Sequence, residues 1–162
     1  MTTTLHPDVI ALTEMHPVED LLLELLPGQL PGVQVRSLIA DHQEFPLVIP
    51  RRSPNFGEWG GDPRFLDAAR INIHAMCDGV NGDEDAALLS EAVRVILRDS
   101  VNIVVPHRGH LVKVEMSSAP RRVTDWATAT GPVQYADLPT GVTRYETVYD
   151  LVIRKPASTQ TP

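Results

Sequence analysis

The chain has 162 residues, 43% hydrophobic and 22% charged, which suits one folded domain with a real core and excludes a disordered chain. A formal net charge of -7 argues against a general binder of nucleic acid or acidic membrane, because such proteins usually carry positive charge. The single cysteine, Cys77, excludes an intrachain disulfide and fits an intracellular origin; no signal peptide and no apolar run of bilayer length are legible.

Residues 1–16 read as a leader without a clear pattern, followed by one domain over 17–155 and a polar, mobile tail over 156–162. A helix is expected from Pro17, which suits the first helical position because its missing N–H would be unpaired there. Glu19 and Asp20 fall in the first turn, where the helix dipole favours negative charge. Val18, Leu21, Leu22 and Leu25 make one apolar stripe, and Pro27-Gly28 ends the element. Leu23 and Leu26 lie off that stripe. Either the helix is buried on most sides, or these two form a surface against a neighbouring subunit.

Val33 to Ile39 alternates as a strand, and Phe45 to Ile49 forms a second run, with Pro46 at a sheet edge or strand start. The segment PRRSPNFGEWGGDPRF, from Pro50 to Phe65, is too rich in proline and glycine for regular structure. Asp67 to Cys77 is the cleanest strand. Ala69, Ile71, Ile73, Ala75 and Cys77 share one side, while Arg70, Asn72, His74 and Met76 share the other, expected to be wet or covered by a partner.

After a turn at Asp78 to Gly82, a second helix is expected, capped by Asn81 or Asp83; Asn81 with Glu84 resembles a capping box. Ala86, Leu89, Val93, Ile96 and Leu97 form its inner face, and Glu91, Arg94 and Arg98 its outer one. Leu111 to Met116 reads as a strand with Val112, Val114 and Met116 on one side. Ser117 to Val142 reads as irregular, and Thr143 to Arg154 as a closing strand in which Tyr145, Thr147, Tyr149, Leu151 and Ile153 alternate with mostly polar neighbours. This order predicts an α+β fold, a mixed, mostly antiparallel sheet with two helices packed on one face and long loops.

Chemistry-bearing patterns are sparse. His107 and His110 sit in a Pro-His-Arg-Gly-His turn without nearby cysteine or carboxylate ligands, whereas a zinc site needs several ligands at fixed geometry. His74 and Cys77 are three apart on a strand and so face opposite sides, which denies them a local nucleophile–base pairing. Asp83, Glu84 and Asp85 open a helix, where capping and the dipole account for them. No GxSxG elbow, phosphate loop or GxGxxG turn occurs. The expectation is a protein that is not an enzyme and takes no cofactor or metal.

The two long loops are the informative part. Arg51, Arg52, Phe56, Trp59 and Arg64 fall in the first, and Arg121, Arg122 and Trp126 in the second. Arginine and aromatic side chains are enriched among interface anchors, which makes these residues, with Leu23 and Leu26, candidates for subunit contacts. The competing reading folds the aromatics back onto the sheet. The arginines are expected to pair with carboxylates, including those of another subunit, rather than with nucleic acid.

The arrangement resembles the tail terminator proteins of long, non-contractile-tailed (siphovirus-type) phages. The features that carry the resemblance are the opening PVEDLLLELLPG leading to VQVRSLI, the segment FPLVIPRR, and DAARINIHAMCDG running into DEDAALLSEAVRVILRD. TRYETVYDLVIR then closes the chain, so that Pro17 to Arg154 is covered. The resemblance implies a structural virion protein, a homo-oligomeric ring, expected to be a hexamer, at the head-proximal end of the tail tube. Such a ring stops polymerisation of the tail tube protein and meets the head-tail connector protein. It would be assembled in the host cytoplasm, with DNA passing through its lumen without specific binding and with no membrane involved. Rival expectations are a head-tail connector or tail completion protein of the neck, and a small α+β enzyme or ligand-binding domain.

Overall fold

A computed structural model describes residues 4–13, 16–40, 42–53, 62, 64–123 and 141–156. The elements in chain order are α1 (Pro7–Ala11), α2 (Val18–Leu25), β1 (Gln34–Val35), β2 (Leu47–Arg52), β3 (Leu66–Cys77), α3 (Gly82–Asp99), β4 (His110–Arg122) and β5 (Thr143–Arg154). The five strands form one sheet in the order β1-β2-β3-β5-β4. Among the described residues the short β1–β2 pair is parallel, and the other three strand pairs are antiparallel. The expected α+β class, with its mixed and mostly antiparallel sheet, is therefore the observed one.

β3 and β5 are the spine of the sheet. They pair over their full length, from Leu66 opposite Arg154 to Cys77 opposite Thr143. The odd-numbered residues of β3 from Ala69 to Cys77 join Tyr149, Leu151 and Ile153 of β5 in one buried layer. Onto that layer pack Val18, Leu21, Leu22 and Leu25 of α2 and Ala86, Leu89, Val93 and Leu97 of α3. Both helices thus cover the same face, because each offers one apolar stripe and only the sheet offers a matching apolar surface.

Several boundaries differ from the sequence expectation, each for a physical reason. The first strand is only Gln34–Val35, not Val33 to Ile39. The second runs on through Pro50, Arg51 and Arg52 instead of ending at Ile49. Pro50 is tolerated because β1 pairs only with Leu47 and Val48, so the outer edge of β2 is bare where Pro50 lacks its N–H. Pro46 does precede the strand, after a cis Phe45–Pro46 bond. Pro17 stands one residue outside α2, as its N-cap. Asn81 is the N-cap of α3 but makes no side-chain capping bond, so the capping-box expectation does not hold.

β4 reaches Arg122, six residues beyond the expected end at Met116. Three register shifts interrupt its pairing with β5, between Leu111 and Lys113, Met116 and Ser118, and Ser118 and Arg121. A bulge adds one residue to one strand only and so reverses which side its neighbours face. As a result Leu111 is buried and Val114 packs on the core while Val112 stands exposed; Met116, in regular register with Val114, shares its side opposite Tyr149, as expected, yet is exposed. The tight turn before β4 is held by a Val105–Gly109 bridge. Gly109 has φ +93, and a Cβ there would meet the carbonyl oxygen of Arg154, so this turn is locked against the end of β5.

The second face of the sheet was expected to be wet or covered by a partner. Its centre is buried within the single chain. Leu47, Ile49 and Met76 make a small second core beside Ile39, Phe45 and Val142. Asn72, His74, Arg144 and Glu146 are buried alongside.

Candidate functional site

The candidate residues divide by what the fold does with them. Leu26 is wholly buried, at 0% exposure, and belongs to the main core. It is a packing residue and not a subunit contact, because α2 is covered on more than its stripe. Leu23 is half-buried and lines an open groove between α1 and α2.

The arginines assigned to loops lie on strands or beside them. Arg51 and Arg52 end β2, and Arg121 and Arg122 end β4. Four of the five candidate arginines pair with carboxylates of their own chain. Arg52 meets Asp67 at 3.0 Å while its backbone N–H donates to Glu19 Oε1 at 2.9 Å, tying β2 to β3 and α2. Arg64 meets Asp62 at 2.8 Å and stands over the Phe65 ring. Arg122 reaches Asp83 at the start of α3, at 3.3 Å. Arg121 reaches Glu146 at 3.1 Å. Arg51 is half-buried on the second sheet face, opposite Asn72. Phe56, Trp59 and Trp126, the aromatic half of the expected anchors, lie outside the described residues.

The charged groups on the second face are organised around Glu146, whose side chain is 0% exposed. Asn72 Nδ2 donates to Glu146 Oε1 at 2.9 Å, and Arg121 Nη2 donates to Oε2 at 3.1 Å. Further along, Arg70 and Asp150 pair through two bonds of 2.7 and 2.8 Å, and the guanidinium holds that carboxyl below the usual carboxylate range. Burial, then the Arg144 and Arg51 guanidiniums, push the His74 imidazole down to about 3. His74 is therefore neutral at neutral pH, in a buried layer that crosses β2, β3, β5 and β4. A carboxylate in such a place is tolerated because each oxygen has a donor.

Cys77 is buried, and burial with the Asp85 and Asp78 charges pushes its thiol up to about 11. Its side chain belongs to the helix-facing layer, on the other side of the sheet from His74. Among the described residues, no three His, Cys, Asp or Glu side chains converge as metal ligands, and no helix is long and apolar enough to cross a membrane.

The apolar surface is elsewhere than expected. The leader contains α1, whose Pro7 opens the helix and whose His6 ring nitrogen accepts from the Asp8 N–H. None of its residues is buried. Leu5, Val9, Ile10 and Leu12 are all exposed, Leu12 at 80%. Leu5 and Ile10 line the groove of about 630 Å³ that faces Leu23 of α2. The rim of that groove carries the Glu24–Arg108 pair at 3.4 Å and the His16–Asp20 contact at 3.8 Å. A second aliphatic patch stands on the turn after α3, where Ile103 and Val104 are exposed beside Val112 of β4. The sequence held a signal for the arm, since proline followed by aspartate and an aliphatic run marks a helix start. A five-residue helix is too short for a periodic stripe to reveal it.

No family model matches the chain, and no curated protein is significantly similar to it.

Proposed function

We propose that this chain is a structural subunit of a phage tail, forming a ring that caps the head-proximal end of the tail tube, ends its polymerisation and meets the head connector. The observation that carries this reading is the distribution of apolar surface. Aliphatic side chains stand exposed on α1 and, as a second group, at Ile103 and Val104 of the turn after α3 and Val112 of β4. Exposed apolar patches of this kind mark contacts with other proteins. A ring subunit needs two different contact surfaces, one for each neighbour, and exposed aliphatic groups on different elements are candidates for them.

The fold supports the same reading. The order helix, three strands, helix, two strands, closed into one sheet with both long helices on one face, is the order on which the likeness to tail terminators rests. The negative formal charge is compatible with a lumen through which DNA slides without being gripped.

The test is electron microscopy of the particles made when this gene is disabled in its source. Overlong or headless tubes are the expected result. Tails of normal length that fail only to join heads would transfer the chain to a connector role in the neck. The absence of any phage particle from the source would refute the reading altogether.

A further inference from the structure

The backbone of β2 points alternately to its two sides, and the bonds it makes fix which residue faces which. The Ser53 N–H donates to the Arg70 carbonyl at 2.7 Å, and in an antiparallel pair such bonds recur at every second residue. Ile49 and Arg51 therefore turn their backbone groups to β3, while Val48, Pro50 and Arg52 turn theirs outward. The bonds on the outer side agree. The Pro46 and Val48 carbonyls accept the Gln34 and Arg36 N–H groups at 2.9 and 3.1 Å, so β1 covers the edge as far as Val48.

An ordinary strand would offer two more outward donors, at positions 50 and 52. Pro50 has no N–H, and it is buried, so the edge is covered there as well. The Arg52 N–H is present but taken, by Glu19 Oε1 at 2.9 Å. Glu19 stands in the first turn of α2, 33 residues away in the chain. Arg52 is held in place from the other side by Asp67 at 3.0 Å and the Ala68 carbonyl at 3.2 Å. The Glu19 carboxylate thus occupies the position where a neighbouring strand would bring a carbonyl.

We infer that the first turn of α2 is a stopper on the sheet: Glu19 and Pro50 together close the β2 edge to strand addition, whether by a second copy of this chain or by another protein. An open edge is a template for pairing with other chains, and a donorless edge cannot complete a ladder. The opposite edge is blunted by other means. β4 carries Pro120, three register shifts and the exposed Lys113–Glu115 pair at 2.7 Å, and the Asn102 N–H covers the Leu111 carbonyl at 2.8 Å. Copies of the chain therefore meet through side-chain surfaces and not through a sheet continued across β2. This holds whether or not they form a ring on a tail tube.

The experiment compares three full-length chains at matched concentration. Glu19→Ala/Pro50→Val restores the donor at position 50 and frees the one at 52. Glu19→Ala/Arg52→Pro loses the same carboxylate but leaves no donor behind. Sedimentation measures association, and the amide infrared band of intermolecular sheet shows its kind. The first variant should give at least about tenfold more sheet-linked material than the unsubstituted chain, and the second no more than that chain. A folded first variant as dispersed as the unsubstituted chain would overturn the inference. Equal association of both variants would do the same, because it would report lost stability and not freed donors. If circular dichroism shows the first variant unfolded, hydrogen exchange of Glu19→Ala alone decides. The Arg52 amide should then exchange at least about tenfold faster, with the Ser53 amide, bonded to Arg70, unchanged. An Arg52 amide that exchanges at the original rate would remove the stopper.

Discussion

Replacing Leu26 by alanine separates a core residue from an interface residue on a single helix. Leu26 is 0% exposed and sits among the α2 and sheet side chains of the main core. Truncation removes apolar carbon worth about 2–3 kcal/mol in transfer free energy. The surrounding helices and sheet relax only in part, so the cavity left behind raises the expected loss to about 3–4 kcal/mol. With a urea dependence of about 2 kcal/mol/M, the unfolding midpoint should fall by about 1.5–2 M. Leu23→Ala is the internal control. Leu23 is only half-buried and faces the open groove, so its loss should stay below about 1 kcal/mol and shift the midpoint by less than about 0.5 M. Urea titration followed by circular dichroism reads both. Equal midpoints for the two variants, or a Leu26→Ala midpoint within about 0.3 M of the unsubstituted chain, would show that Leu26 is not packed as described.

Two further outcomes follow from the titrating groups. His74 stays neutral in the folded chain down to about pH 3, whereas the unfolded chain takes up the proton near its ordinary value of 6.5. Its stabilising contribution is therefore fully present above pH 6.5 and lost as pH falls from 6.5 towards 3, reaching about 2 kcal/mol at pH 5. His74→Gln should flatten the fall in urea midpoint between pH 7 and pH 5, and an identical slope in the variant would sink the assignment. Cys77, with its thiol raised to about 11 and its side chain buried, should react with a maleimide at pH 7 only after urea unfolds the chain. Stoichiometric labelling of the native protein would contradict its place in the helix-facing layer.

Much of the site lay beyond the reach of local pattern. Arg51 and Arg52 followed a proline and preceded a glycine-rich stretch, so they read as loop; the strand continues because they still pair with Asn72 and Ile71 of β3. Arg121 and Arg122 read as loop because bulges scramble the alternation of β4. The leader hid α1 because five residues hold barely more than one turn.

The sequence by itself determined the class and order of the elements. Alternation over Thr143 to Arg154 and Asp67 to Cys77, and a helical stripe over Ala86 to Leu97, are properties of consecutive residues, and each forces one side of its element onto a common core. Only the tertiary structure decided which face lies under what. It buried Leu26, closed the second face over Glu146 and His74 within one chain, and left the arm and its groove open. Period tells which residues share a side, but burial depends on the neighbour that arrives from elsewhere in the chain.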